Sequence, residues 1–489
     1  MRNLSCMARL LSEKAAAPLE TACPQGASLS LAGRDQAAPI RSEQLVCLRS
    51  RPTLPWRGLL NLCFLGNFGR SWKSNISIEM YETSSGPGEG STGERLECAV
   101  ECALKMTMVG RDEYASKCDE LKCEPLITVL QQIDEAKGKG EAVSKLNLRG
   151  ISKTKLNEKV TGTKLKAVAE TFGNDLERLD LSYNFVDDSS CEPLVGLLQT
   201  SPSLKELDLG GNDLCVHGSL LLAKALATEK DKQPVLEALS LQGNPLGDEG
   251  GFAISDSIRK NVNLRELNLN DTGIGISSLI NVADALTTDN RTIEVIEIGN
   301  PKLTTLESEH ILYVARMLAC NPNIRALNLK KHPLRDASFS VLLESGLARN
   351  ETLETLCLSC CQITSTSASN IEKFLCQNTS VRHLDLSNNR LTDEVAAGIA
   401  RGLAQDSAIE VINLQNCRIT DAGLLQLAQA VPRSKTLKEL RLWGNHFGQG
   451  SGEAFRMLLS GDGTDGGESK LKCDFTTYVV DGTVHVAQC

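Results

Sequence analysis

The chain has 489 residues, of which 73 are leucine and only 18 are Phe, Tyr or Trp. A hydrophobic fraction of 41% excludes wholesale disorder, and no run of 18 apolar residues offers a transmembrane helix. The net charge of −9 is uneven: residues 1–79 hold ten Lys and Arg against five Asp and Glu, so the rest carries −14, a balance that argues against direct electrostatic binding of nucleic acid.

Residues 1–79 contain Trp56 and Trp72, are Arg-rich and acid-poor, and show no repeat. They read as a basic, disordered extension: an organellar transit segment, a tail for acidic partners, or sequence upstream of a true start at Met80. The last is preferred, because composition changes abruptly at Met80. An acidic Gly/Ser-rich linker follows over 80–94. Residues 95–142 are expected to form a helical cap, with helices over Leu96–Met108 and Pro125–Ala136.

From 143 to 459 one pattern recurs, L-x-x-L-x-L-x-x-N-x-L. Clear copies are Leu176/Leu179/Leu181/Asn184, Leu204/Leu207/Leu209/Asn212, Leu236/Leu239/Leu241/Asn244, Val381/Leu384/Leu386/Asn389 and Leu437/Leu440/Leu442/Asn445. Copies with substitutions start at Val143, Leu264, Ile293, Ile324, Leu353 and Ile409, making eleven in all. The L-x-L core predicts a short strand with alternate residues inward, and the Asn predicts a turn whose buried amide pairs backbone groups of adjacent coils. Thr272, Pro301 and His332 replace that Asn, so the middle of the array is expected to be locally irregular. The second half of each copy has helical spacing, as in Ala396/Ile399/Ala400/Leu403 and Leu424/Leu427/Ala428/Val431.

Residues 460–489 read as a loop and a closing hairpin. Phe475–Val480 and Thr483–Ala487 flank Asp481-Gly482, a dipeptide suited to a type I′ turn. Together these elements predict an α/β solenoid with parallel strands on a concave face and helices on the convex one. Ten to eleven strands at about 4.8 Å spacing give an arc on the order of 50 Å. Unit length and helix content resemble the ribonuclease-inhibitor class of leucine-rich repeats.

Asn300-Pro-Lys-Leu, Glu307–Arg316, Lys331-His332, Leu442-Trp-Gly-Asn445 and the run from Tyr478 to Ala487 (YVVDGTVHVA) resemble the leucine-rich repeat-containing protein 34 family over about residues 120–489. That resemblance implies a non-catalytic protein of nucleolus and cytoplasm in stem and germ cells.

An array of this kind contacts partners through outward strand side chains. These are Asp180, Asp208, Ser240, Asn268, Glu297, Asn328, Cys357, Asp385, Asn413 and Arg441, with Glu206, Glu266, His383 and Glu439 on the same face. The candidate partner-binding residues are Asp180, Glu206, Asp208, Asn268, Glu297, Asp385, Asn413 and Arg441, joined by Trp443 as an aromatic anchor. Their acidity suits a protein partner with a basic or polar surface. The alternatives are ordinary solvated strand positions and, for Trp443, packing beneath the hairpin.

Other chemistry finds little support. Lys330-Lys331-His332 reads as a solvated turn rather than an anion site. Cys357-Leu-Ser-Cys360-Cys361 contains C-x-x-C, but no second pair supplies four zinc ligands. The 18 scattered cysteines, without a secretory signal, suit reduced thiols in cytoplasm or nucleus, where sequons such as Asn350-Glu-Thr352 have no glycosylation role. Gly86–Gly93 lacks the Lys of a phosphate loop, and no triad or paired acids point to catalysis or to a cofactor. The reading is a non-enzymatic interaction scaffold. A GTPase-activating protein on similar repeats and a ciliary or cytoskeletal component are the alternatives.

Overall fold

A computed structural model describes residues 110–154, 158–229, 232–303, 309–405, 407–460 and 471–489. The chain divides at Gly90–Ser91, and every described residue lies in the second unit. The expected 1–79 extension, the 80–94 linker, the helix at Leu96–Met108 and most of the loop after Ser460 fall outside the described residues.

The L-x-L cores form the strands Lys145–Asn147 (β1), Arg178–Asp180 (β2), Glu206–Asp208 (β3), Ala238–Ser240 (β4), Glu266–Asn268 (β5) and Val295–Glu297 (β6). Ala326–Asn328 (β7), Thr355–Cys357 (β8), His383–Asp385 (β9), Val411–Asn413 (β10) and Glu439–Arg441 (β11) continue them. All pair parallel, each with the next in sequence. The central residue of every strand, from Leu146 to Leu440, is at most 3% exposed, while its neighbours face outward. Helices return the chain from one strand to the next. In Thr392–Leu403 the residues Val395, Ala396, Ile399, Ala400 and Leu403 are buried, one face at helical spacing. Strands repeat at about 4.8 Å and packed helices at about 8–10 Å, so the array bends toward its strands. This is an α/β leucine-rich-repeat solenoid.

The turn after each strand is held by the expected asparagine. Asn212 donates through Nδ2 to Leu209 O (2.8 Å) and to Leu181 O of the previous coil (3.1 Å), while its Oδ1 accepts from Asn184 N (2.8 Å) and Val186 N (3.1 Å). Asn184, Asn244, Asn389 and Asn445 repeat the donor half of this arrangement. Cys361 and Cys417 imitate it weakly, their thiols reaching Leu329 O and Leu386 O at 3.2 and 3.3 Å. Contrary to the expected irregularity, β5 to β8 stay in unbroken register across Thr272, Pro301 and His332. Thr272 donates its hydroxyl to Leu269 O (2.6 Å). The departure lies on the helical side, where Arg335–Val341 runs into a π-turn at Leu342–Gly346.

A second ladder, on the edge where the chain enters each strand, was not read from the sequence. Asn261, Asn290, Asn321 and Asn350 donate to carbonyls of the previous coil, and Asn261, Asn290, Asn350 and Asn378 accept the N–H three residues on. Asn350 and Asn378 are therefore buried structural residues, which is the physical reason their sequon-like contexts matter little.

At the start of the array, helical residues 110–120 (α1) and Ile127–Lys139 (α2) lay Tyr114, Cys118, Val129 and Ile133 on the first coil's core, with the Tyr114 ring 5.7 Å from Phe172. At the far end the sheet has a twelfth strand, Lys472–Cys473 (β12), in a tail expected to contain only a loop and a hairpin. The hairpin itself forms from Phe475–Val480 (β13) and Thr483–Gln488 (β14). Phe475 packs 4.9 Å from Phe447 and 5.1 Å from Phe455.

Asp474 ends the ladder. In other coils the first N–H after a strand bonds to a carbonyl of the next strand, as Leu414 N does to Arg441 O, and the second to the Asp or Asn side chain that ends its own strand, as Gln415 N does to Asn413 Oδ1. For the last full strand, which ends in Arg441, the Asp474 carboxylate fills both places, accepting from Leu442 N (2.8 Å), Trp443 N (3.0 Å) and Gln415 Nε2 (2.7 Å). Asp474→Ala strands two backbone donors and is expected to cost about 1–3 kcal/mol in urea unfolding, with faster amide exchange at Leu442 and Trp443. Unchanged exchange at both amides would show that the carboxylate does not close the sheet.

Candidate partner-binding face

Two columns of side chains cross the open face of the sheet. One runs through Arg178, Glu206, Ala238, Glu266 and Val295, the other through Asp180, Asp208, Ser240, Asn268 and Glu297. On β4 both outward positions are small, while β3 and β5 on either side carry longer polar residues. The result is a hollow of about 180 Å³ over Leu207, Leu239 and Leu267. It is walled by Arg178, Glu206, Asp208, Glu266, Asn268 and Glu297, with Ala238 and Ser240 at its centre. The Arg178 guanidinium is paired with Glu206 (3.1 Å). Among the described residues no cation pairs with Asp208, Glu266 or Glu297, so the hollow keeps a net negative charge.

The candidates divide accordingly. Glu206, Asp208, Asn268 and Glu297 line the hollow; Asp180, Asp385, Asn413, Arg441 and Trp443 do not. Several also hold the backbone. Asp180 is only 8% exposed, and its Oδ1 accepts from Ser182 N (2.9 Å) and Ser182 Oγ (2.6 Å). Asp208, Asn268, Asp385 and Asn413 likewise accept the N–H two residues on at 2.8–3.0 Å. These residues close their own turns and present only their remaining polar atoms outward. Glu297 accepts from the Asn270 amide. Arg441 is neutralised by Glu439 (2.6 Å), which also meets Lys472 (3.4 Å). Trp443 is half-buried against the core. The residues missing from the candidate set are Glu266, Ala238 and Ser240. Their signal in the sequence is a strand, Ala-Leu-Ser, with two small outward residues between two acidic neighbours.

His332 departs from its reading as part of a solvated turn. It occupies the asparagine position, fully buried, with Nε2 2.7 Å from Ile298 O and Nδ1 3.0 Å from His310 Nε2. A carbonyl can only accept, so His332 carries its proton on Nε2, and His310 Nε2 donates to His332 Nδ1. Among the described residues the lone pair of His310 Nδ1 has no partner. Burial pushes His310 down to about 4, and burial with the neighbouring imidazole pushes His332 down to about 3.

The C-x-x-C segment is divided by burial. Cys361 is sealed in the core and Cys357 is half-buried beside Asp385; desolvation raises both thiols, Cys357 to about 11. Among the described residues no three His, Cys, Asp or Glu side chains converge as a metal site. No helix of the described residues is long and apolar enough to cross a membrane.

Comparison with known proteins agrees with the geometry. The Leucine Rich repeat model matches residues 200–214, 232–255, 349–371, 377–400 and 408–428. Ribonuclease inhibitor of Sus scrofa is 27% identical over 41% of this chain and 42% of its own length, and that of Mus musculus is 27% identical over 39% and 41%. Human NACHT, LRR and PYD domains-containing protein 12 is 27% identical over 40% of this chain and 18% of its own length. The chain thus spans less than half the length of these relatives. A chain of the yeast Rad7–Elc1 complex superposes with a TM-score of 0.39 at 15% identity, over 73% of this chain and 94% of its own. This chain therefore carries leucine-rich repeats with ribonuclease-inhibitor-like homologues at low identity, a fold that generally serves protein interaction and is typically non-catalytic.

The histidine pair gives a pH test. Both groups titrate lower when folded than their ordinary 6.5, so between pH 6.5 and about 4 the unfolded chain binds more protons. Stability is then lost as pH falls through that window. His332→Asn, which restores the residue of neighbouring coils, is expected to flatten the fall in thermal midpoint between pH 7 and 4. An unchanged slope would locate acid sensitivity elsewhere.

Proposed function

We propose that the protein is a non-catalytic scaffold that holds a protein partner on its open strand face, with a basic side chain of that partner seated in the hollow over β4. The observation that carries this reading is the hollow itself: a recess at two small residues, ringed by carboxylates of which Asp208, Glu266 and Glu297 are not ion-paired among the described residues. An Arg or Lys fits such a recess by charge and shape, and steering by the surrounding acids favours encounter with a basic surface. The ribonuclease inhibitors among the relatives name a ribonuclease as a first probe. Resemblance to the leucine-rich repeat-containing protein 34 family supports a setting in nucleolus and cytoplasm, in stem or germ cells.

The test uses Glu206→Lys together with Glu266→Lys. Both side chains are exposed and neither holds a turn, so the fold is undisturbed. The double variant is expected to weaken capture of basic partners by at least about tenfold while unfolding normally. Ser240→Arg, which fills the recess, should do the same. Full partner recovery by both variants would overturn the reading.

A further inference from the structure

The charge of the folded unit is not uniformly negative. Residues 145–166 hold seven Lys and Arg against the single acid Glu158, whereas residues 167–489 carry −14. Lys145, Arg149, Lys153 and Lys159 are exposed, and among the described residues no carboxylate ion-pairs with any of them. Arg149, Lys153 and Lys159 follow β1 and precede the helix Gly162–Phe172, on the edge where the first coil turns away from the sheet.

Two aromatic rings stand on that edge. Tyr183 and Phe185 follow β2 and are 38% and 49% exposed. Both have positive φ, 62° and 59°. The same positions take positive φ in other coils, as at Asp271, Lys331 and Cys360 for Tyr183 and at Gln362 and Arg418 for Phe185, so the backbone form belongs to the turn. Among the described coils only this turn sets bulky rings at both positions. The rings are also organised. Tyr183 lies against Gly211, where a Cβ would come within 2.6 Å of the ring, and the Arg149 guanidinium sits 4.5 Å from its centroid. Lys153 Nζ bridges the two rings, 5.1 Å from Tyr183 and 5.0 Å from Phe185. Arg149 is further fixed by a bond to Ser182 Oγ (3.2 Å).

We propose that Arg149, Lys153, Tyr183 and Phe185 form a docking site for single-stranded nucleic acid, separate from the strand face. Exposed rings and a held guanidinium plane offer stacking to unpaired bases, and flanking cations track the phosphates. An acidic protein segment would use the same cations, and the comparison with poly-glutamate below separates it from a nucleic acid. Duplexes hide their base faces, so single strands are preferred. The −14 of the later coils hides this patch in any whole-chain balance.

The experiment measures fluorescence anisotropy of a labelled 12-nucleotide single-stranded RNA with the full chain, against a duplex of the same sequence and a poly-glutamate peptide. Binding of the single strand is expected, with a slope of log affinity on log salt of about −2 for three phosphates. Tyr183→Asn with Phe185→Asn removes the rings and suits the same backbone, so the fold is kept. It is expected to weaken RNA binding by at least about tenfold with the salt slope unchanged. Arg149→Glu with Lys153→Glu should abolish it. No binding at low salt, an unchanged affinity in the Asn variant, or equal affinity for poly-glutamate would overturn the proposal.

Discussion

Each described coil turns out of its strand and back into the next one, and the turns bring backbone N–H and C=O groups against a leucine-filled interior where water cannot reach them. An unpaired group there costs as much as a lost hydrogen bond. The molecule meets this constraint with short amide side chains that bond two coils at once. Asn212, accepting two N–H groups and donating to two carbonyls, is the clearest instance. Without those rungs the leucines could still cluster, but nothing would fix the register of one coil on the next. The continuous strand face, the hollow over β4 and the cation-covered rings at Tyr183 and Phe185 all depend on that register.

Much of this was legible in the sequence because the repeat ties each residue type to one environment. The central leucines, the turn asparagines and the hairpin around Asp481-Gly482 stand where their spacing put them. What escaped reading was set by relations between coils. The recess over β4 exists because Ala238 and Ser240 lie beside Glu206 and Glu266, which are about thirty residues away in either direction. Outward-facing Asp180 and Asp208 looked free to meet a partner, since nothing in the pattern shows that their carboxylates bond the N–H two residues on. His332 looked like part of a charged turn because Lys330 and Lys331 precede it, yet the asparagine position is buried whatever residue fills it. The entering-edge asparagines stand three residues before five of the strand motifs and were visible, but resembled sequons and loop residues.

The two proposed surfaces differ in physical kind. The strand face offers carboxylates in a recess and suits a basic, shaped partner. The turn edge of the first coils offers cations and open rings and suits a flexible anion with flat bases. They adjoin, since β2 contributes Arg178 to the hollow and its following turn carries Tyr183 and Phe185. The Arg178–Glu206 ion pair stands at that border, so a ligand on either surface would be felt there first.

The inter-coil rungs also decide how the molecule would carry a load. Each joins a coil only to its immediate neighbour, and no side chain of the described coils ties one end of the array to the other. Tension applied between the ends would therefore pass through the rungs in series. The weakest coil would open first, releasing about 28 residues, or about 95 Å of extended chain, while the rest kept its form. At the coil held by a histidine pair, one rung is an imidazole–imidazole bond in place of the amide used by its neighbours.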